Sequence, residues 1–335
     1  MSKRVVVLAV IAVVIVATVI GISFFRNKHK PIPPKEPFHI AFNEWVGFAP
    51  FFLAKEKGFY GDLPVEFDFV ALEGDKRAGL YAGRFQMICE TTDMFQTSRE
   101  AIPYSGKIIF AIDESYGGDG VIAIESVKSL KDLKGKTAVS EPGQPAHFIL
   151  QYLLNKEGMT LNDIKLQNMA SADAAAAFIA GRADIAGTYE PYLSNALQKR
   201  KGSHLLLSSK DLPGLIVDVA IVDDNMLQSR NEDLKRIYIG WCKALDYFKN
   251  NRADAVAIMA KAFKLKPEEF EDTISGLRYI DCQRNKEVFG SNTQPGSIFG
   301  TFTNIGKILQ SNGLTKSVAD PNSKIDFSIV NTPMQ

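Results

Sequence analysis

The chain has 335 residues, of which 46% are hydrophobic, with 39 Lys and Arg against 38 Asp and Glu. That length can bury two cores, and a net charge of +1 gives no electrostatic case for nucleic acid or an anionic surface. His29, His39, His147 and His204 are scattered, as are Cys89, Cys242 and Cys282, so no metal site has ligand spacing and the cysteines read as buried thiols.

Residues 5–25 carry no charge and are dominated by Val, Ile, Ala and Leu, a run long enough to cross a bilayer as one helix. The best cleavage site, Gly21-Ile22-Ser23, is poor, which favours an uncleaved anchor over a cleaved signal peptide. Lys3 and Arg4 before it, and Arg26, Lys28 and Lys30 after it, leave the orientation open. Either reading sends the bulk of the chain across the membrane, to the periplasmic or cell-surface side. Residues 31–37, PIPPKEP, read as an extended polyproline spacer. Residues 1–30 are therefore anchor or signal, 31–37 linker, and the globular part starts at Phe38.

The apolar run 38–42 predicts a buried strand. A polar loop, Asn43-Glu44-Trp45-Val46-Gly47, leads to a helix opened by Ala49-Pro50 and closed at Gly58. Such a strand–loop–helix edge is where α/β proteins seat ligands, and Trp45 adds a flat face with one N–H donor. Strands follow at 65–70, 87–89, 108–112 and 121–124, with helices at 75–82 and from capping residues 90–93 to 98. The logic repeats in the centre. A short helix at 129–133, a strand at 137–140, a helix from the 141–145 turn to 157 and a strand at 165–168 lead to a helix at 172–180. Beyond them lie a strand at 185–188 and a helix start at 189–192, then apolar runs at 205–207 and 215–222, with Asp218 inside the second. After Met226 the spacing predicts helices at 234–249, 253–263, 267–277 and 297–310. The βα succession argues for an α/β protein with largely parallel sheets. Glycines 117, 118 and 120, and Pro213-Gly214, are natural places for two hinge crossings.

Several stretches taken together resemble a known family: WVGFAPFFLAKEKGFY at 45–60, residues 113–119, SLKDLKGK at 129–136, GRADIAGTYEPY at 181–192 and DLPGLIVD at 211–218. Their order resembles the periplasmic substrate-binding proteins of ABC importers in the nitrate/sulfonate/taurine group, which also holds thiamine-pyrimidine binders. The resemblance implies a type II periplasmic-binding-protein fold, α/β, with two lobes joined by two hinge strands and preceded here by one hydrophobic helix. It puts the first lobe at 38–118 and 222–335 and the second at 119–221. It also implies a small-molecule ligand held between the lobes, with an ABC permease and its ATPase as partners, and a monomer.

The loops facing that crevice carry the candidate ligand-binding residues Glu44, Trp45, Thr91, Thr92, Asp113, Tyr116, Asp119, Gln144, Thr188, Tyr189, Glu190 and Asp218. The stretches 43–60 and 188–192 are read as its two jaws, and the resemblance favours a ligand role for Trp45 and Glu190. Five of the twelve are acids and none is Arg or Lys, and buried carboxylates need donors or positive charge. The expected ligand is therefore amine- or pyrimidine-like rather than a simple sulfonate or nitrate, with Trp45, Tyr116, Tyr189 and Tyr192 stacking on it. No cofactor and no metal are expected. Glycine-rich phosphate loops, nucleophile elbows and His-Glu-x-x-His motifs are absent from the sequence, so catalysis is the weaker reading. A sensory module reporting to a membrane receptor is the other alternative.

Overall fold

Strand β1 (Phe38–Phe42) is buried except at His39, as its four apolar residues require in a sheet covered on both faces. The computed structural model describes residues 36–70, 72–99, 106–291 and 293–333. The expected anchor helix and most of the proline-rich spacer lie outside the described residues. Among those residues no helix is long and apolar enough to cross a membrane.

The first sheet contains β1, β2 (Val65–Phe69), β3 (Met87–Thr91), β4 (Lys107–Ser115), β10 (Val217–Val222) and β11 (Leu277–Tyr279), in the order β11-β4-β10-β3-β1-β2. The second contains β5 (Asp119–Ala123), β6 (Thr137–Ser140), β7 (Lys165–Asn168), β8 (Ile185–Tyr189) and β9 (His204–Ser208), in the order β7-β6-β8-β5-β9. The sheets are mixed rather than largely parallel: pairing is parallel within β2-β1-β3 and β7-β6-β8 and antiparallel along β11-β4-β10-β3 and β8-β5-β9. The strand β10 lies between β3 and β4, and β5 between β8 and β9. These are the strands that follow the crossings, from Ser115 to Asp119 and from Ser208 back to Val217. Each sheet is thus completed by chain arriving from the other.

Helices α1 (Ala49–Glu56), α2 (Glu73–Tyr81) and α3 (Thr92–Ser98) follow strands of the first sheet, and α4 (Pro145–Lys156), α5 (Ser171–Ile179) and α6 (Tyr192–Lys199) those of the second. The C-terminal part adds α7 (Asp224–Ser229), α8 (Asn231–Asn250), α9 (Arg252–Ala262), α10 (Pro267–Ile274), α11 (Cys282–Phe289) and α12 (Ser297–Ser311). Phe51, Phe110, Tyr238 and Trp241 pack ring on ring beneath the first sheet. Two separate apolar clusters cover the second, one built on Ile149 and Leu153, the other on Phe178 and Leu193.

The crossings are tied together. Ser209 Oγ meets Ser115 Oγ at 2.8 Å and accepts from Gly117 N at 2.7 Å. Gly214 N donates to Glu114 Oε1 at 2.7 Å. The loop before β11 adds a clasp, its Gly276 carbonyl accepting from Tyr116 N and Gly118 N.

Three further features depart from the sequence reading. Strand β4 runs on to Ser115, so Asp113 sits in a ladder rather than a loop. The apolar stretch read as one helix over 267–277 stops at Ile274, and β11 forms because β4 offers it an open edge. The third departure concerns the cysteines. Cys242 and Cys282 form a disulfide with Cα atoms 5.5 Å apart, an ordinary span, while Cys89 is a free buried thiol. Forty residues of separation hide a proximity that the docking of β11 on β4 creates, reinforced by Trp241 Nε1 donating to the Ile280 carbonyl.

Candidate functional site

The β1–α1 loop sets the first wall of the crevice. Asn43 Oδ1 accepts from Trp45 N at 3.0 Å, a side-chain turn that fixes the loop. The Trp45 ring is 4% exposed. Its Nε1–H donates to both oxygens of Asp113, at 3.3 and 3.2 Å, and it meets Tyr189 of β8 edge-on, with centroids 6.1 Å apart. Two glycines make room for it. A Cβ at Gly47 would lie 2.0 Å from Asp113 Oδ2, and one at Gly118 would lie 2.3 Å from the indole. Trp45 is therefore wedged between the first sheet, the outgoing crossing and the second sheet.

Beneath the wedge the ladder register stacks carboxyl groups. Asp218 on β10 pairs with Thr91 on one side and with Asp113 on the other. Facing carboxylates at that spacing repel, and the pair resolves it by sharing a hydrogen bond. Burial, more than any other effect, pushes Asp113 up to about 8 and Asp218 well above the usual carboxylate range. Asp119 is lifted to about 7, again by burial. All three carry protons over part of the neutral range.

The basic residues that the sequence reading did not find in the loops stand just behind them. Arg77 on α2 donates through Nε to Glu90 at 2.7 Å, and Lys76 Nζ donates to the Cys89 carbonyl at 2.6 Å. Both are buried, and the Lys76 charge pulls the Asp218 pKa downward. Their signal was weak because α2 reads as an ordinary charged surface helix.

An inner chamber of about 10 Å³ lies under Trp45, lined by Asn43, Trp45, Glu90, Thr91, Asp119, Gln144, Tyr189 and Asp218, among others. It adjoins a mouth of about 200 Å³ between Asn43, Glu44, Phe69, Ser171, Tyr189 and Tyr192. The Tyr192 hydroxyl donates to Glu44 Oε2 across that mouth.

The structure brings seven of the twelve expected residues, Glu44, Trp45, Thr91, Asp119, Gln144, Tyr189 and Asp218, to the walls of these two spaces. Asp113 stands one layer below, holding Trp45. Thr92 is buried at the start of α3. Thr188 donates to the Ser171 carbonyl at 3.0 Å. Tyr189, rather than Glu190, faces Trp45. Glu190 turns away to accept from Ser194 Oγ at 2.5 Å and Ser194 N at 3.2 Å, capping the start of α6. Tyr116 belongs to the crossing, its ring 3.4 Å from the Arg278 guanidinium. Asn43, Glu90 and Ser171 are lining residues that the sequence reading missed. Asn43 could have been found from its place directly after β1.

The fold recurs in known proteins. A curated binding protein of Brucella abortus is 28% identical over 223 residues, covering 66% of this chain and 69% of its own. The alkanesulfonate-binding protein SsuA of Xanthomonas axonopodis pv. citri, solved with MOPS bound, superposes with a TM-score of 0.69 at 15% identity, over 89% of this chain and 100% of that one. The desulfurization enzyme DszB superposes with a TM-score of 0.60 at 12% identity, over 89% of this chain and 98% of that one. These likenesses establish a periplasmic-binding-protein fold of the α/β class. The NMT1/THI5-like family model matches residues 45–255, well over half of the sequence, and the chain belongs to that family.

Proposed function

We propose that this chain is the extracytoplasmic solute-binding component of an ABC importer, holding a small organic molecule between two lobes, 38–118 with 222–335 and 119–221. The observation that carries the reading is the Trp45 wedge, which touches both sheets and one crossing directly above a polar chamber. A solute seated in the adjoining mouth of about 200 Å³, with one polar group reaching the chamber, bridges the two sheets and favours the closed arrangement of the lobes, and the closed form docks on a permease served by its ATPase.

The chamber's chemistry supports a ligand that donates. Glu90, Asp119 and Asp218 offer acceptors beside two aromatic rings, and at about 10 Å³ the chamber has room for little more than one donor group, which suits the amino group of an amine or aminopyrimidine-like solute lying in the mouth better than a simple sulfonate or nitrate. The Cys242–Cys282 disulfide supports residence on the oxidising side of the membrane, with residues 1–30 as anchor or signal and the protein acting as a monomer. Catalysis is less well supported, although one similar fold belongs to an enzyme. Of the adjacent acids Asp223 and Asp224, Asp223 caps α7 by accepting from Asn225 N at 2.8 Å.

Isothermal titration of the full chain with 4-aminopyrimidine, methanesulfonate and nitrate tests the ligand class. The expected result is one-to-one binding of the amino-heterocycle, abolished by Trp45→Ala. Nanomolar binding of methanesulfonate or nitrate would overturn it.

A further inference from the structure

On the far side of the inner chamber, α3, α4 and α12 enclose a second cavity of about 200 Å³. Gln144 lines both spaces, so they adjoin. Leu309, Leu314 and Phe148 form an apolar wall, part of a cluster in which α4 of the second sheet meets α12, which is held to α3 by Gln96 Nε2 donating to the Phe302 carbonyl at 2.7 Å. Asp93 and Gln151 supply the polar side. Asp93 is 3% exposed, and its Oδ1 and Gln151 Oε1 are buried acceptors without a protein hydrogen-bond partner among the described residues. A buried acceptor left unmatched costs about 1–3 kcal/mol, so an occupant that donates is favoured.

The charge is equally one-sided. Burial lifts Asp93 only to about 6, leaving it ionised at neutral pH. Burial lowers His147 to about 4, so the imidazole is neutral there and does not repel a cation. It is held by Ser140 Oγ, 2.7 Å from Nδ1. Arg77, which also acts on Asp93, is engaged by Glu90 and by the Met94 carbonyl.

We infer that this cavity is a second subsite of the cleft, and that it takes an alkylammonium group, its nitrogen donating to Asp93 and Gln151 and its stem lying on Phe148, Leu309 and Leu314. The inference rests on the solute-capture reading and deepens it.

Methyl NMR on the full chain at pH 7.5 tests it, with n-butylamine and 4-aminopyrimidine as separate probes. The Leu309 and Leu314 methyls report this cavity, and the Trp45 indole reports the inner chamber. Butylamine should shift the leucine methyls saturably, and Asp93→Asn should weaken that response about tenfold, the loss of one charge-assisted hydrogen bond. Gln151→Leu, at a half-exposed position, should weaken it too, and Leu309→Trp should block it. Leucine methyls that ignore butylamine, or a response unchanged in both Asp93→Asn and Gln151→Leu, would overturn the subsite. A silent Trp45 with responsive leucines would instead sink the aminopyrimidine reading and leave the subsite standing.

Discussion

Asp113 and Asp218 face each other across a ladder, and their energetics follow from that placement. An unfolded aspartate titrates near 3.9, whereas the folded pair and Asp119 hold their protons to higher pH. Between those limits the folded state binds more protons than the unfolded one, so stability falls as pH rises. The full contribution is present below about pH 4; Asp119 loses its share through about pH 7 and Asp113 through about pH 8, while Asp218 keeps its proton well above the usual carboxylate range, each group sloping by at most about 1.4 kcal/mol per pH unit. Asp93, lifted by burial to about 6, and Glu190, also raised by burial, add in the same sense, whereas His147, lowered by burial to about 4, acts in the opposite sense below its ordinary value of about 6.5. The melting temperature should therefore drop from pH 6.5 to pH 8.5, and Asp218→Asn should flatten that slope in a differential scanning series. A melting temperature that climbs over this window would contradict the assignment. A second test at this scale is Gly47→Ala. Its Cβ would fall onto Asp113 Oδ2 and Trp45 Nε1, so the change should cost about 1–3 kcal/mol and alter the Trp45 fluorescence. An unchanged emission spectrum would mean that the wedge is not set by this contact.

At the scale of elements, what the sequence could reveal depended on how local the cause was. β1, its loop and α1 were legible because the apolar run, the Pro50 helix start and the Gly58 stop all act within a few residues. The crossings were legible from their glycines. β11 was not, since three residues become a strand only when β4 supplies the edge, and α11 and the disulfide follow from that docking. Lys76 and Arg77 were missed for a related reason: α2 carries them beneath β3, a tertiary fact. The same dependence yields a prediction. Cys242→Ser with Cys282→Ser should lower stability by about 2–4 kcal/mol in urea unfolding under non-reducing conditions. It should also loosen the Gly276 clasp, seen as faster amide exchange at Tyr116 and Gly118. Exchange there at the wild-type rate would separate the disulfide from the hinge.

At the scale of the whole molecule, two sheets each completed by a strand from a crossing make a body whose natural motion is about those crossings. Contacts that span the crevice then set how long it stays shut. Tyr192 and Glu44 bond across one mouth, and Phe148 meets Ile305 and Leu309 beyond the other. Tyr192→Phe should speed solute release about three- to tenfold, as loss of one partly exposed hydrogen bond implies, with the association rate little changed. Stopped-flow Trp45 fluorescence reads both rates, and a change confined to association would argue against a latch. The central claim, that this fold captures a donor-bearing organic solute under Trp45, meets its most direct test in native mass spectrometry of the gently extracted full chain. The account predicts one small amine-containing molecule per chain, lost in Trp45→Ala. A retained sulfonate or nitrate, or full retention by the Trp45→Ala variant, would contradict it.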